Sequence, residues 1–319
     1  MKMIKQQDVY TIALDVGGSY IKSTILNEND EIVPGSLSMF PAKARESKEE
    51  LINHLCLIIK KQLKQVKSDD FKLLGVGFAF PGPFDYENGI SYVQGIDKFD
   101  HLYGVNIRKE LLNCIDKDAF ITSKIDDRFL IVFDNDANLF ALGEQKDGKG
   151  KNFDKSIYLT LGTGAGSAFM NQGLLVKSGR DIPENGWIYK DPFGSSIVDD
   201  YISKRGILKL AKQSGIMIAD NEVKTLAVMA KDNHQKAQEV FHTFGKNIGK
   251  SLHPYVKSFS PQAIIFGGQI SKSIDLFIDG IYKTLGEKKI IIKCSNDTSV
   301  STFVGIGSLI AQSQTLNYK

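Results

Sequence analysis

The sequence predicts an α/β protein in which one structural device is used twice, and three observations carry that expectation. A short apolar strand runs into a glycine turn and resumes as a β-branched, roughly alternating run across residues 11–26, and the same succession returns near residues 156–170. Amphipathic stretches with helical spacing alternate with further buried strands along the chain. The length of 319 residues suits about two domains.

In chain order, Thr11-Ile12-Ala13-Leu14 is a strand that meets Asp15-Val16-Gly17-Gly18-Ser19 and continues as strand through residues 20–26. A dinucleotide-binding fold would place a helix directly after its glycine turn, so these glycines close a β-hairpin instead. The N–H groups of such a turn can converge on a phosphate, and they equally suit a plain hairpin turn. Residues 45–67 read as an amphipathic helix, with Leu51, Leu55, Ile58, Ile59, Leu63 and Val66 in one stripe. Residues 73–80 are a buried strand ending in the rigid turn Pro81-Gly82-Pro83. Residues 84–105 form a loop excursion with short strands, and residues 106–115 a short helix.

A strand at residues 129–133 gives way to Asp134-Asn135-Asp136-Ala137-Asn138 and a helix from about Leu139. Asx residues there suit helix capping, and a carboxylate at the end of such a strand also lies where open α/β sheets hold ligands. The second hairpin follows, strand 156–161 closing on Gly162-Thr163-Gly164-Ala165-Gly166. Two hairpins in corresponding places suggest a duplicated fold with two phosphate-facing loops. Helices are expected at 197–213, about 234–257 and near 273–285, and a buried strand at 263–266 ends in Gly267-Gly268-Gln269. A last strand at 290–292 and a closing helix from about residue 302 complete the chain.

Composition narrows the function. Apolar residues make up 42% and charged residues 24%, ordinary values for a globular protein with a sizeable core. Forty basic against thirty-seven acidic residues, interspersed, leave a net charge of +3 and no basic block that would indicate nucleic acid as a partner. Cys56, Cys114 and Cys294 are far apart and lack metal-site spacing, which argues for a reducing compartment. The first seven residues hold no signal-peptide core, and no stretch approaches the ~18 apolar residues of a membrane span. A cytoplasmic protein without a membrane partner is the expectation.

Two glycine hairpins, a third Gly-Gly turn and an Asn-Asp pair at a strand end point to phosphoryl transfer. That chemistry needs donors on the phosphoryl oxygens, a magnesium ion and a carboxylate to accept the hydroxyl proton.

The motifs Asp15-Val16-Gly17-Gly18-Ser19, Pro81-Gly82-Pro83, Asn135-Asp136-Ala137-Asn138, Gly162-Thr163-Gly164-Ala165-Gly166 and Phe266-Gly267-Gly268 occur in the order and approximate spacing of the ROK family. The chain resembles the sugar kinases of that family, which belong to the actin-like ATPase superfamily and have related repressors. The resemblance implies a two-lobed actin-like ATPase (ribonuclease H-like) fold, each lobe with a mixed sheet and flanking helices. The lobes are expected at residues 1–134 with about 300–319, holding the first phosphate loop, and at 135–299, the larger lobe, holding the catalytic Asp, the second phosphate loop and the nucleoside site. It implies a kinase using ATP with Mg²⁺ on a sugar hydroxyl (hexose or N-acetylhexosamine), working as a homodimer. Asp136 matches the family's general base, Asn135 a sugar-binding neighbour, and Asp15 the residue facing magnesium. Gly17, Gly18, Ser19 and Lys22 border one phosphate loop, Gly162, Thr163 and Gly164 form the other, and Gly267 and Gly268 line the nucleoside. Gly82 belongs to a turn associated with the sugar. The fourteen residues before Asp15 are too few for the helix-turn-helix of the repressors, which favours the enzyme branch.

The departures bear on the sugar side. Where the family usually reads Gly-Glu-x-Gly-His, this chain has Pro183-Glu184-Asn185-Gly186-Trp187. Glu184 keeps its place as a sugar ligand, while Trp187 replaces a histidine that touches sugar and binds zinc in many members. No Cys or His lies between Trp187 and Asp199, so no structural zinc is expected. Trp187 offers a stacking face for a sugar or simply fills space. Asp199 stands where a sugar-contacting Glu is common, and Gln269 replaces a glycine. A sugar-binding regulatory protein without catalysis is the alternative these changes raise. An actin-like phosphatase or filament protein fits less well, because Glu184 and the Pro81-Gly82-Pro83 turn are associated with sugar in the family.

Overall fold

A computed structural model describes residues 7–95, 97–286 and 289–317. Residues 1–6, which carry most of the stretch read for a leader, lie outside the described residues. The chain divides into two compact units, Met1–Gly143 with Ser299–Lys319, and Glu144–Thr298.

The first unit opens with β1 (Asp8–Val16), β2 (Tyr20–Leu26) and β3 (Ser38–Pro41), then α1 (Lys48–Leu63) and β4 (Phe71–Ala79). The excursion carries a small hairpin, β5 (Phe84–Asp85) with β6 (Ile90–Ser91), before α2 (Ile107–Asp116), α3 (Ala119–Lys124) and β7 (Ile125–Asp134). The sheet order is β3-β2-β1-β4-β7, antiparallel on the hairpin side and parallel from β1 to β7. Helix α1 starts later than expected because Ser47 and Glu50 form a reciprocal capping box. It ends at Leu63, so Val66 of the predicted stripe falls beyond the helix while still packing on the same core, and Leu51, Leu55, Ile58, Ile59 and Leu63 are buried as the periodicity requires. Cys56 is buried on the same helix.

The second unit is entered inside α4 (Asp136–Asp147) and contains β8 (Lys155–Leu161), β9 (Ala165–Asn171), β10 (Leu174–Leu175) and the hairpin of β11 (Pro192–Phe193) and β12 (Ser196–Ile197). Helices α5 (Asp199–Ile202), α6 (Lys204–Gln213), α7 (Val223–Lys231) and α8 (Gln235–Phe259) precede β13 (Ala263–Gly267), α9 (Ile278–Leu285), β14 (Ile291–Cys294) and α10 (Thr298–Asn317). The sheet order β10-β9-β8-β13-β14 repeats the first sheet: an antiparallel three-strand meander joined to two parallel strands. The duplicated glycine hairpins are therefore the β1–β2 and β8–β9 turns of two like sheets.

Three expectations change. The stretch 197–213 is two helices, broken at Ser203, whose extended backbone (φ −102°, ψ −179°) cannot continue a helix. The helix near 273–285 is a 3-10 segment followed by α9. The units divide at Gly143 and Glu144 rather than after Asp134, so Asp136 belongs to the first unit, which holds slightly more of the chain than the second. The chain crosses within continuous helices, and no linker composition marks the join. No described helix is long and apolar enough to cross a membrane.

Candidate active site

The parallel strands of the first sheet end together. In register, Asp15 on β1 stands beside Ala79 on β4, and Ala79 beside Asp134 on β7. With strands ~4.8 Å apart, this row brings the Gly17-Gly18-Ser19 turn, Asp15 and the Asn135-Asp136 pair to one carboxyl edge of the sheet, the usual ligand edge of open α/β folds.

The Asx residues divide the work at that edge. Buried Asp134 accepts the Asn135 N–H (2.8 Å) and the side-chain amide of Asn138 (2.7 Å) through Oδ1. Asn135 Oδ1 accepts the Asn138 N–H (2.7 Å), which makes Asn135 the cap of α4. Its Nδ2 makes no hydrogen bond among the described residues. Asp136 accepts the Ala137 N–H (2.9 Å) and its own backbone N–H, and remains exposed to solvent. Capping is thus performed by Asn135, and the Asp136 carboxylate is left over.

Both carboxylates have raised pKa values. For Asp15 the first cause is burial, Lys22 opposes it, and the negative charge of Asp136 adds to it. For Asp136 desolvation also comes first, offset by backbone N–H groups; its surface reaches solvent, but protein surrounds it at longer range. Lys22, opposite Asp15 in the hairpin register, donates to Ser299 Oγ at 2.9 Å. A raised carboxyl pKa in the folded state means stability is full below the ordinary carboxylate range and is lost as pH rises through the folded value. Asp15→Asn is accordingly expected to be more stable than wild type at pH 7, by about 0.5–2 kcal/mol. The gap should close as pH falls toward ~4. Urea unfolding across that range checks it, and a gap that widens on acidification would refute the assignment.

The edge rests on an aromatic and guanidinium base that the sequence did not disclose. Phe78 stacks on Phe133 at 4.9 Å, and Phe84 packs against Phe133 at 5.1 Å and Phe80 at 5.0 Å. Arg108 lies over Phe133 and donates to the carbonyls of Ile131 (3.0 Å), Glu87 (2.6 Å) and Tyr86 (3.3 Å). It thereby ties the 84–91 excursion to β7. The Phe80 N–H donates to the Asp134 carbonyl (3.1 Å), and the Tyr86 hydroxyl to the Phe80 carbonyl (2.9 Å), which fixes the turn carrying Gly82.

In the second unit, Gly162, Thr163 and Gly164 close the β8–β9 hairpin, with the Gly162 N–H donated to the Gly164 carbonyl (3.0 Å). Gly267 pairs in register with Thr160. Gly268 has φ +86°, and a Cβ there would strike the Leu161 carbonyl, so the close approach of this turn to β8 requires glycine. Asp199 faces the hairpin: Oδ1 accepts the Ala165 N–H (2.7 Å), and Oδ2 pairs with Arg205. The Lys204 N–H, at the start of α6, donates to the Gly162 carbonyl (2.9 Å). Glu184 and Trp187 lie on a separate segment, docked on β9 through buried Ser167, which donates to the Gly186 carbonyl (2.7 Å) and accepts the Ile188 N–H (2.9 Å). Glu184 is exposed and Trp187 half-buried, its ring 6.1 Å from that of Tyr189. Ser167 and Arg205 are further positioning residues that the sequence reading missed.

Against known families, residues 11–289 match the sequence profile described as the ROK family. The chain belongs to the ROK family. A glucokinase of Thermotoga maritima is 25% identical, over 94% of this chain and 91% of its own. A xylose repressor of Caldicellulosiruptor bescii is 21% identical, over 89% of this chain and 72% of its own. The crystal structure of a ROK family glucokinase from Streptomyces griseus, in complex with glucose and AMPPNP, has 20% identity and a TM-score of 0.70, covering 95% of this chain and 99% of that one. The shared fold is the actin-like ATPase fold, with the mixed five-stranded sheets expected for each half. Between Trp187 and Asp199 this chain forms the β11–β12 hairpin. It is held by Phe193 packing edge-on to Tyr201 (5.0 Å) and by a Tyr255 hydroxyl donated to Asp191.

Proposed function

We propose that this ROK protein transfers the terminal phosphoryl group of ATP to a sugar hydroxyl, of a hexose or an N-acetylhexosamine, with Asp136 as general base. One observation carries the reading: Asn135 caps α4, which leaves a solvent-reachable Asp136 carboxylate of raised pKa beside Asp15 and the first glycine turn. A structural Asx pair has no need of that surplus. A base with an elevated pKa is also better matched to a hydroxyl proton at neutral pH.

The Nδ2 of Asn135 is a donor suited to a sugar hydroxyl, and exposed Glu184 is a suitable acceptor. Trp187 supplies a face on which a sugar ring can stack, and Gly82, in the rigid turn of the first unit, is a further candidate sugar contact. Both Asp199 oxygens are engaged, which supports a role in holding the Gly162-Thr163-Gly164 loop more than in sugar contact. The Gly17-Gly18-Ser19 turn with Lys22 fits one part of the triphosphate, and Gly267 and Gly268 fit the nucleoside. Magnesium takes one or two carboxylates and keeps most of its waters. The desolvated, mutually repelling pair Asp15 and Asp136 fits it, with Asp15 the ligand, directly or through water. When bound, the ion would neutralise charge on the phosphate oxygens. The proton is taken by Asp136 itself.

A sugar-binding regulator without turnover is the second reading, favoured by the engagement of Asp199 with Arg205 and by kinship with a xylose repressor. ADP release by the purified protein with a panel of hexoses and N-acetylhexosamines separates the two, with polyphosphate as an alternative donor. The kinase reading expects turnover with at least one sugar. Sugar binding without product from either donor would establish the regulator. A homodimer, as the family resemblance implies, is tested by the solution mass of the same preparation.

A further inference from the structure

The first glycine turn carries two backbone donors without protein partners. Gly17 donates its N–H to the Tyr20 carbonyl (3.0 Å), and the Ser19 carbonyl accepts from Ala42 (2.9 Å). The N–H groups of Gly18 and Ser19 make no hydrogen bond among the described residues. Lys98 lies across this same turn. A Cβ built on Gly18 would stand 2.8 Å from Lys98 Nζ and 2.9 Å from Cε, and nearer still to Cδ. The lysine stem therefore occupies the space that a side chain at position 18 would take.

The ammonium of Lys98 makes no ion pair or hydrogen bond among the described residues. The adjacent carboxylate, Asp97, is committed to Arg45, and the neighbouring lysine, Lys22, gives one of its three donors to Ser299. An exposed lysine ordinarily rests its stem on apolar surface and leaves its head in water. The backbone here argues for more. Asp97 (φ 58°) and Phe99 (φ 60°), on either side of Lys98, are both left-handed without being glycine, an unfavourable conformation that persists only where surrounding structure imposes it. Phe99 is 2% exposed, packs against Phe80 at 5.5 Å and donates its N–H to Ala44 (2.6 Å). The chain is thus anchored on the C-terminal side of Lys98, and the side chain is delivered to the glycine turn.

Two unpartnered N–H donors and an ammonium without a partner at one turn are the donors an anion would use. The geometry points to Lys98 as a catalytic residue that contacts the phosphoryl group in transfer, an inference that rests on the kinase reading above. In the reaction, the sugar oxygen bonds to the terminal phosphorus as the bond from that phosphorus to the bridging oxygen breaks. The hydroxyl proton passes to Asp136, and ADP departs with the electron pair. Lys98 exchanges no proton; its charge lies on the phosphoryl oxygens, where positive charge stabilises the transition state.

The test compares Lys98→Met and Lys98→Arg with wild type, by ADP release and by calorimetric binding of AMPPNP and of AMP. Lys98→Met should lower kcat by ~10²–10³-fold with the sugar KM unchanged. It should also weaken AMPPNP roughly tenfold while leaving AMP, which lacks the outer phosphates, unaffected. Lys98→Arg should recover a substantial part of both losses. Unchanged kcat with unchanged AMPPNP affinity in Lys98→Met overturns the assignment, as does a parallel loss of AMP and AMPPNP binding. If the wild type turns over no sugar, the kinase reading falls, and the ratio of AMPPNP to AMP affinity still decides whether Lys98 meets the outer phosphates.

Discussion

Asp136→Asn is expected to lower kcat for sugar phosphorylation by roughly 10²–10⁴-fold, the usual contribution of a positioned general base, while sugar affinity changes little. The substitution is structurally mild. Asn at this position keeps an oxygen for the Ala137 N–H, and the cap of α4 is supplied by Asn135. What disappears is the proton acceptor. The sign of the pH dependence follows from the raised pKa of Asp136: the carboxylate must be ionised to accept the proton, so wild-type turnover falls as pH drops through a value above the ordinary carboxylate range. Residual turnover in Asp136→Asn should lack that acid limb. Steady-state ADP release across pH, with sugar binding measured by calorimetry, checks both parts. Turnover equal to wild type would remove Asp136 from the mechanism. Asn135→Ala gives the contrast, because it removes both the cap, worth ~1 kcal/mol, and the donor proposed for the sugar, so stability and sugar affinity should fall together.

What the sequence disclosed and what it concealed follow from how local each interaction is. The glycine hairpins were legible because an apolar strand, a Gly-Gly or Gly-Thr-Gly turn and a β-branched run have one economical arrangement, and β1–β2 and β8–β9 adopt it. The division of labour between Asn135 and Asp136 was not. Both residue types cap helices, and the choice is made by hydrogen bonds that exist only once α4 begins at Asp136 rather than near Leu139. Arg108 was invisible because its acceptors are backbone carbonyls of Tyr86, Glu87 and Ile131, which carry no sequence signature. The Asp199–Arg205 pair was hidden differently. Six positions apart, the two side chains would not share a face of one continuous helix; the break at Ser203 brings them together. Helix α3 spans only Ala119–Lys124, too short to show a period.

The second large effect is expected far from any ligand. Gly305→Ala should cost about 3–5 kcal/mol, a loss on the scale reserved for imposed clashes and a large share of the ~5–15 kcal/mol that holds a typical domain together. Within the first unit, α4 and α10 cross with their backbones in contact. A Cβ on Gly305 would collide with the Leu139 carbonyl and lie 3.1 Å from the Gly143 nitrogen. A Cβ on Gly143 would collide in turn with the Ser301 carbonyl and lie 3.0 Å from the Gly305 nitrogen. Helix propensity works the other way, since Ala is better than Gly by ~1 kcal/mol. That gain is the smaller, because the obstructing atoms are main-chain and no rotamer moves them aside. Urea unfolding of Gly305→Ala should show a markedly lower midpoint, and the Gly143→Ala, Gly305→Ala double variant should lose less than the sum of the two, because one displacement of the helices relieves both clashes. An unchanged or raised midpoint would mean that the crossing yields easily and that propensity decides. The crossing also bears on the chemistry, since Leu139 lies one turn after Asp136 on α4. In whatever fraction of Gly305→Ala remains folded, the helix must shift at the residue that follows the base by three positions, so kcat should fall further than sugar affinity.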